Sequence, residues 1–309
     1  MLKRTSLFLM TNLAVLAVFG GILTLLSQLG VFGPEGLTGS GYLPLLGIAA
    51  VFGFGGALIS LALSKTMAKR AMGAQVITHP RGETEQWLVD TVGDLSRRAG
   101  IQMPEVAIFD SPTPNAFATG ARRDAALVAV STGLLRRMGR DEVRAVLGHE
   151  ITHAANGDMV TLTLIQGVVN TFVIFFARII GSVVDSALSG GRRRGPGFGY
   201  FVASFAAEMV LGLLATMIVM WFSRRREFRA DAGGAALTSP HAMSSALRAL
   251  AGGRGSELPD SLAAFGIKGD VRRGLMKLFR SHPPIEERIA ALQERASLGR
   301  FHGPASAFS

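Results

Sequence analysis

Residues 141–157 read DEVRAVLGHEITHAANG, and the reading of the whole chain turns on this stretch forming one helix. Asp141 and Glu142 open it, where acidic side chains meet the positive end of the helix dipole, and Asn156-Gly157 closes it. Val143, Ala145, Val146, Leu147, Ile151, Ala154 and Ala155 make the segment apolar. His149, Glu150 and His153 are then three ionisable groups in an apolar setting, which calls for a buried purpose. Positions i and i+4 share one helix face, so His149 and His153 present two imidazoles to a single zinc ion at bonds of about 2.0–2.1 Å. Glu150 sits about 100° around the helix, too far to ligate, and well placed to take a proton from a water at the metal. Zinc acidifies that water and polarises a scissile carbonyl, while the glutamate carries the proton to the leaving amine.

A catalytic zinc needs a third protein ligand and an open fourth position. Glu227 in Glu227-Phe228-Arg229-Ala230-Asp231 is the first candidate, because Glu227 and Asp231 share a helix face. Glu227 would ligate, and Asp231 would accept the free N–H of a ligand histidine. Spacing alone favours a simple pairing of Glu227 with Arg224 or Arg229 at the membrane surface, and His241 and His282 are rival ligands by residue type.

Around the motif the chain is unusually apolar: 49% of its 309 residues are hydrophobic and 17% are charged. Four stretches carry most of this, Leu7 to Leu29, Tyr42 to Ser64, Val160 to Val184 and Tyr200 to Phe222. A membrane span needs about 20 apolar residues, so the first two form a transmembrane hairpin. The first exceeds the apolar core of a secretion signal and is read as an uncleaved span. Residues 30–41 hold no lysine or arginine, whereas Lys3 and Arg4 precede the hairpin and Lys65, Lys69 and Arg70 follow it. Both ends of the hairpin therefore face the cytoplasm. The second pair is read as two further spans, although full crossing puts Arg192-Arg193-Arg194 on the far side, against the charge rule.

The net charge of +10 lies beside these apolar runs rather than among interleaved aromatics. It suits anionic lipid headgroups and excludes nucleic acid as a partner. Absence of cysteine removes disulfides and thiolate chemistry. Between the hairpins, Glu83 to Ala99 reads as an amphipathic helix stopped by Gly100. Glu105 to Phe109, Ala125 to Val130 and Ala116 to Thr119 read as strands. Arg224 to Leu237 and His241 to Leu250 read as helices, Ala251 to Gly274 as poorly patterned, and Ile285 to Ala296 as an amphipathic helix with Ile285, Ile289 and Leu292 on one face.

HEITHAANGDMV at 149–160, a hydrophobic hairpin, SRRREFRAD at 223–231, PTPNAFATG at 112–120 and SHPPIEERIAAL at 281–292 together resemble the HtpX-type membrane zinc metalloproteases. These are gluzincins, related to the CAAX prenyl endopeptidases. The resemblance spans nearly the whole chain and implies one Zn2+ held by His149, His153 and Glu227. It implies Glu150 as general base and Asp231 as the partner of a ligand histidine. Asn115, Ala116, Phe117 and Ala118 would belong to an edge strand that pairs with an extended substrate. His282 is a candidate stabiliser of the oxyanion. The expected fold is membrane α-helical plus α+β: a mostly helical zincin-type catalytic domain with a small β-sheet, on two to four transmembrane helices. Residues 1–70 and 159–223 form the hairpins, and 71–158 and 224–309 the catalytic parts. The expected function is cleavage of misfolded or damaged membrane proteins, a stress-response role, from the cytoplasmic face of the inner membrane. A prenyl-protein endopeptidase and a non-catalytic adaptor with a structural metal are the competing readings.

Overall fold

A computed structural model of the chain describes residues 42–190, 196–253 and 282–299. The expected first span, the arginine triplet 192–194 and most of 251–274 lie outside these residues. The chain divides into two compact units at Ser60, Val160 and Val219.

One unit comprises 161–219 and the chain up to Ser60. Its described part is helical: the start of α1 (Tyr42–Met72), most of α5 (Asp158–Ser189) and most of α6 (Phe198–Leu237). These three helices are long and apolar enough to cross a membrane. Within this unit glycines admit close helix approach. A Cβ on Gly53 would lie 2.6 Å from the Thr171 backbone nitrogen, and one on Gly181 2.0 Å from Ser204 Oγ. Asp185 accepts the N–H groups of Gly197 (2.8 Å) and Tyr200 (3.1 Å), satisfying donors at the start of α6. Arg178 and Glu208, the single charges of the apolar stretches Val160 to Val184 and Tyr200 to Phe222, pair at 3.1 Å.

The second unit holds 61–160 and the chain from Met220 onward. Its sheet has the order β1-β2-β4-β3, with β1 at Gln75–Val76, β2 at Glu105–Phe109, β3 at Ala116–Thr119 and β4 at Leu127–Ser131. β2 and β4 are parallel, and β1 and β3 pair antiparallel at the two edges. Strand alternation sorts the side chains: Val106, Ala118, Val128 and Val130 enter the main core, while Ala107, Phe109, Leu127 and Ala129 make a smaller cluster on the other face. The main core is completed by α2 (Glu83–Ala99), the short α3 (Thr132–Arg137), α4 (Arg140–Asn156), α7 (Pro240–Gly253) and α8 (Ile285–Ser297).

The motif segment is one helix, α4. Glu142 accepts the Gly139 N–H at 3.0 Å, and Gly157 caps the far end at φ 66°. One expectation is corrected. The apolar stretch from Tyr200 and the polar helix from Arg224 are a single 40-residue helix, α6. The polarity changes at Ser223-Arg224, but no proline interrupts the segment until Pro240, so the backbone continues.

Candidate active site

The site is built where α4 meets the last turns of α6. Helix contact there is close because three glycines face each other's helix. A Cβ on Gly233 would lie 2.3 Å from Thr152 Cγ2, one on Gly234 2.9 Å from the His149 backbone nitrogen, and one on Gly148 3.3 Å from the Gly234 carbonyl oxygen. Glycine inside a helix costs about 1 kcal/mol relative to alanine, and here that cost is tied to bringing two backbones together. The approach carries Glu227 and Asp231 of α6 onto the His149 and His153 face of α4.

All four side chains are buried. His149 Nε2 and His153 Nε2 are 3.1 Å apart, Glu227 Oε1 lies 3.3 Å from His153 Nε2, and Glu227 Oε2 lies 3.5 Å from His149 Nε2. Each histidine has its own carboxylate behind it. Asp158 Oδ2 is 2.6 Å from His153 Nδ1, and Asp231 Oδ1 is 3.0 Å from His149 Nδ1, at an angle bent away from a straight hydrogen bond. Burial alone would lower the His149 pKa, but Asp231 and Glu227 outweigh it and raise it from 6.5 to about 10. His153 is likewise raised, against burial, by Asp158 and Glu227.

The donor set fits a metal. A tetrahedral zinc with bonds of about 2.0–2.1 Å has ligand-to-ligand edges of roughly 3.3 Å, the range of the three separations here. Two imidazole nitrogens turned toward one another across 3.1 Å, with a carboxylate beside them, leave a site that a proton or a cation must hold together. The outward-turned nitrogens are each matched to a carboxylate, as in metal sites where a second layer fixes the ring.

Residues 82–296 match the family described as Peptidase family M48. The chain belongs to this family. It is 60% identical over 300 residues to Protease HtpX of Xanthomonas campestris pv. campestris (strain B100), covering 97% of this chain and 99% of that protein. It is 58% identical over 301 residues to Protease HtpX of Xanthomonas axonopodis pv. citri (strain 306), covering 97% and 100%. The crystal structure of S. mikatae Ste24p shares the fold at TM-score 0.59 and 18% identity, covering 94% of this chain and 67% of that one. The M48 chain is therefore an integral-membrane metalloprotease, mostly helical with a small mixed sheet, and its family implies a metal cofactor.

Glu150 of this M48 peptidase is half-buried, and its Oε2 accepts the Ala118 backbone N–H at 2.9 Å. β3 is the sheet edge beside the site, and its register decides which groups face outward. Asn115 faces β4: its carbonyl accepts the Ser131 N–H, and its own N–H donates to the Ser131 side-chain Oγ. In the antiparallel alternation, Ala116 and Ala118 then turn their backbone groups away from β4, whereas Asn115 and Phe117 turn theirs toward it. Of the four residues expected on this edge, Ala116 and Ala118 are the ones whose backbone groups face outward. His282 Nδ1 lies 2.7 Å from Glu227 Oε2, so it joins the cluster through the carboxylate. His241 does not join it: it is exposed at the start of α7 and lines a separate open cavity.

Three residues of the site were not anticipated. Arg288 of α8 grips Asp231 with two bonds, Nε–Oδ2 at 2.7 Å and Nη2–Oδ1 at 2.6 Å, and lies 3.6 Å from Glu227. Burial lowers its pKa, but Asp231 and Glu227 raise it further, and it remains a cation. Asp158 backs His153, and Arg226 holds the Asp158 carbonyl at 3.0 Å. One signal was readable: Arg288 lies three residues after Ile285 and four before Leu292, a charge set into the apolar face of α8.

Proposed function

We propose that this protein is a zinc-dependent endopeptidase in which His149, His153 and Glu227 hold the metal and Glu150 is the general base. The observation that carries this reading is the convergence of two imidazole nitrogens and a carboxylate at 3.1–3.5 Å beside an unligated glutamate that touches the sheet edge. When bound, zinc supplies Lewis acidity to a scissile carbonyl and to water. An extended substrate segment lies along β3 and pairs with the outward groups of Ala116 and Ala118. Glu150 accepts the proton of the attacking water and passes it to the leaving nitrogen. Asp231 and Asp158 orient the two rings, and Arg288 balances the negative charge gathered behind them. His282 gives its Nδ1–H to Glu227, and its doubly protonated form has an Nε2–H to donate to a developing oxyanion.

The segments 1–70 and 159–223 anchor the enzyme, and 71–158 with 224–309 form the catalytic part. Lys65, Lys69 and Arg70 at the end of α1 support a cytoplasmic orientation at the inner membrane. Its substrates are misfolded or damaged membrane proteins, met at the lipid surface under stress.

The test is zinc quantification of the purified wild type, Glu227→Ala and Glu150→Gln beside a peptide-hydrolysis assay. Glu150→Gln is expected to keep its zinc and lose about 10²–10⁴-fold in rate. Glu227→Ala is expected to lose both. Full zinc retention by Glu227→Ala, or full activity in Glu150→Gln, overturns the assignment.

A further inference from the structure

A cavity of about 20 Å³ opens beside the metal cluster, walled by Ala118 of β3, Ala126, Ala154 of α4, and Met159 and Val160 at the start of α5. His153 forms part of its wall, so it adjoins the reacting centre directly. We infer that it is the subsite for one substrate side chain next to the scissile bond, and that it takes a short uncharged side chain of alanine or serine size. The inference rests on the peptidase reading above and adds the substrate class to it.

Alternation along the edge strand supplies the geometry. Ala118 turns its side chain into the core on the helix side of the sheet, and its N–H outward to Glu150. A substrate strand added along β3 points every second side chain to that same helix side. The side chain passing Ala118 therefore enters the space between Ala118 and Ala154, against His153. The available room is about that of one water-sized group, enough for a methyl or hydroxymethyl and too little for a leucine or phenylalanine. The walls cannot easily yield. Ala126 is buried and leads into β4, whose Leu127–Ser131 are all buried. Asp158, next to Met159, is fixed by His153 and Arg226. Arg122 and Arg123 also line the cavity, and their charge disfavours lysine or arginine in it.

Short side chains are the ones that membrane helices place at their mutual contacts. Sequences that fit this subsite are thus sealed in assembled membrane proteins and presented when helices fail to pack. The subsite gives the enzyme a way to prefer unassembled segments through local sequence.

The test uses the full-length, zinc-loaded protein in detergent with a denatured soluble protein as substrate, cleavage sites being mapped by mass spectrometry. Peptides built on the best site then carry Ala, Val, Leu, Phe or Lys at the selected position. Alanine is expected to exceed leucine in kcat/KM by at least about tenfold, since one misfitting methylene is worth that much. Met159→Ala, which widens the cavity, is expected to bring that ratio toward one, and Val160→Leu to steepen it, both with unchanged zinc content. Cleavage with no position favouring short side chains overturns the subsite and leaves the peptidase reading standing. A preference that neither variant shifts also overturns it. Failure of the zinc-loaded wild type to cleave at all overturns both.

Discussion

The two units of this chain place opposite chemistry inside and outside. In the unit of 161–219 and the chain up to Ser60, Phe52 and Phe198 are 68% and 81% exposed, an apolar surface that suits lipid rather than water. In the other unit the buried set includes His149, His153, Glu227, Asp231 and Arg288. Both units nevertheless use the same device, glycine at a helix crossing. Gly53 lets a neighbouring helix backbone in at Thr171, and Gly234 does so at His149. In the first case the close approach serves packing alone. In the second it sets the distance between metal-binding side chains on two helices. A glycine contact thus takes its meaning from what stands one turn away.

The largest expected effect breaks the charged interior. Arg288→Met leaves Asp231 and Glu227 buried without their cation, and should destabilise the protein by about 3–5 kcal/mol while weakening zinc affinity. Denaturant titration and chelator competition measure the two, and wild-type values for both would show that Arg288 does not hold the site. A second effect follows pH in zinc-stripped protein. The His149 pKa is raised to about 10 against an ordinary 6.5, so the stability it adds is complete below pH 6.5 and lost as pH rises through about 10. Tm of the stripped protein should fall between pH 7 and 10. Over the same range zinc should bind more tightly, because it displaces the proton. A flat Tm over that range rules the coupling out.

The glycine pair sharpens the comparison. Gly234→Ala and Gly53→Ala each force a methyl against backbone, at a cost of about 1–3 kcal/mol by overpacking. Only Gly234→Ala should also lower zinc affinity, by roughly 10–100-fold. Equal zinc affinities in the two variants would erase the distinction between packing and positioning glycines. The smallest effect lies at the surface, where Glu105 meets Lys65 at 2.8 Å and also pairs with Lys69. Burial raises the Glu105 pKa, but the two lysines outweigh it and the net shift is downward. Its contribution is present above the ordinary carboxylate pKa and lost as pH falls through the lowered one. With Glu105 at 41% exposure, Glu105→Gln should cost under about 1 kcal/mol in urea unfolding, and salt should shrink the difference.

Local pattern made much of this legible from the residues alone. The α4 segment announced itself through its acidic start, its apolar interior and Gly157, all contained within 17 residues. β3 at Ala116–Thr119 and α2 at Glu83–Ala99 were likewise marked by turn residues and periodicity. The apolar stretch ending at Phe222 and the helix from Arg224 differ in polarity only, because a change of surroundings alters side chains without interrupting backbone hydrogen bonds. The family resemblance rested on motifs, which name residues and leave their distances open.

By itself, then, the sequence determined the helical and apolar character of the chain and the two histidines on one helix face, because each depends on neighbours a turn or two away; its motifs also carried the resemblance to HtpX-type peptidases. Tertiary structure decided the rest. Glu227 reaches the histidines and His241 does not, since Gly148, Gly233 and Gly234 let α6 close on α4. Arg288 crosses a 57-residue interval to hold Asp231, and Arg226 a 68-residue one to hold the carbonyl of Asp158 behind His153. Pairing with β4 chose Ala116 and Ala118 as the outward edge. These are contacts between residues far apart in sequence, fixed by helix approach and strand register, and no local pattern encodes them.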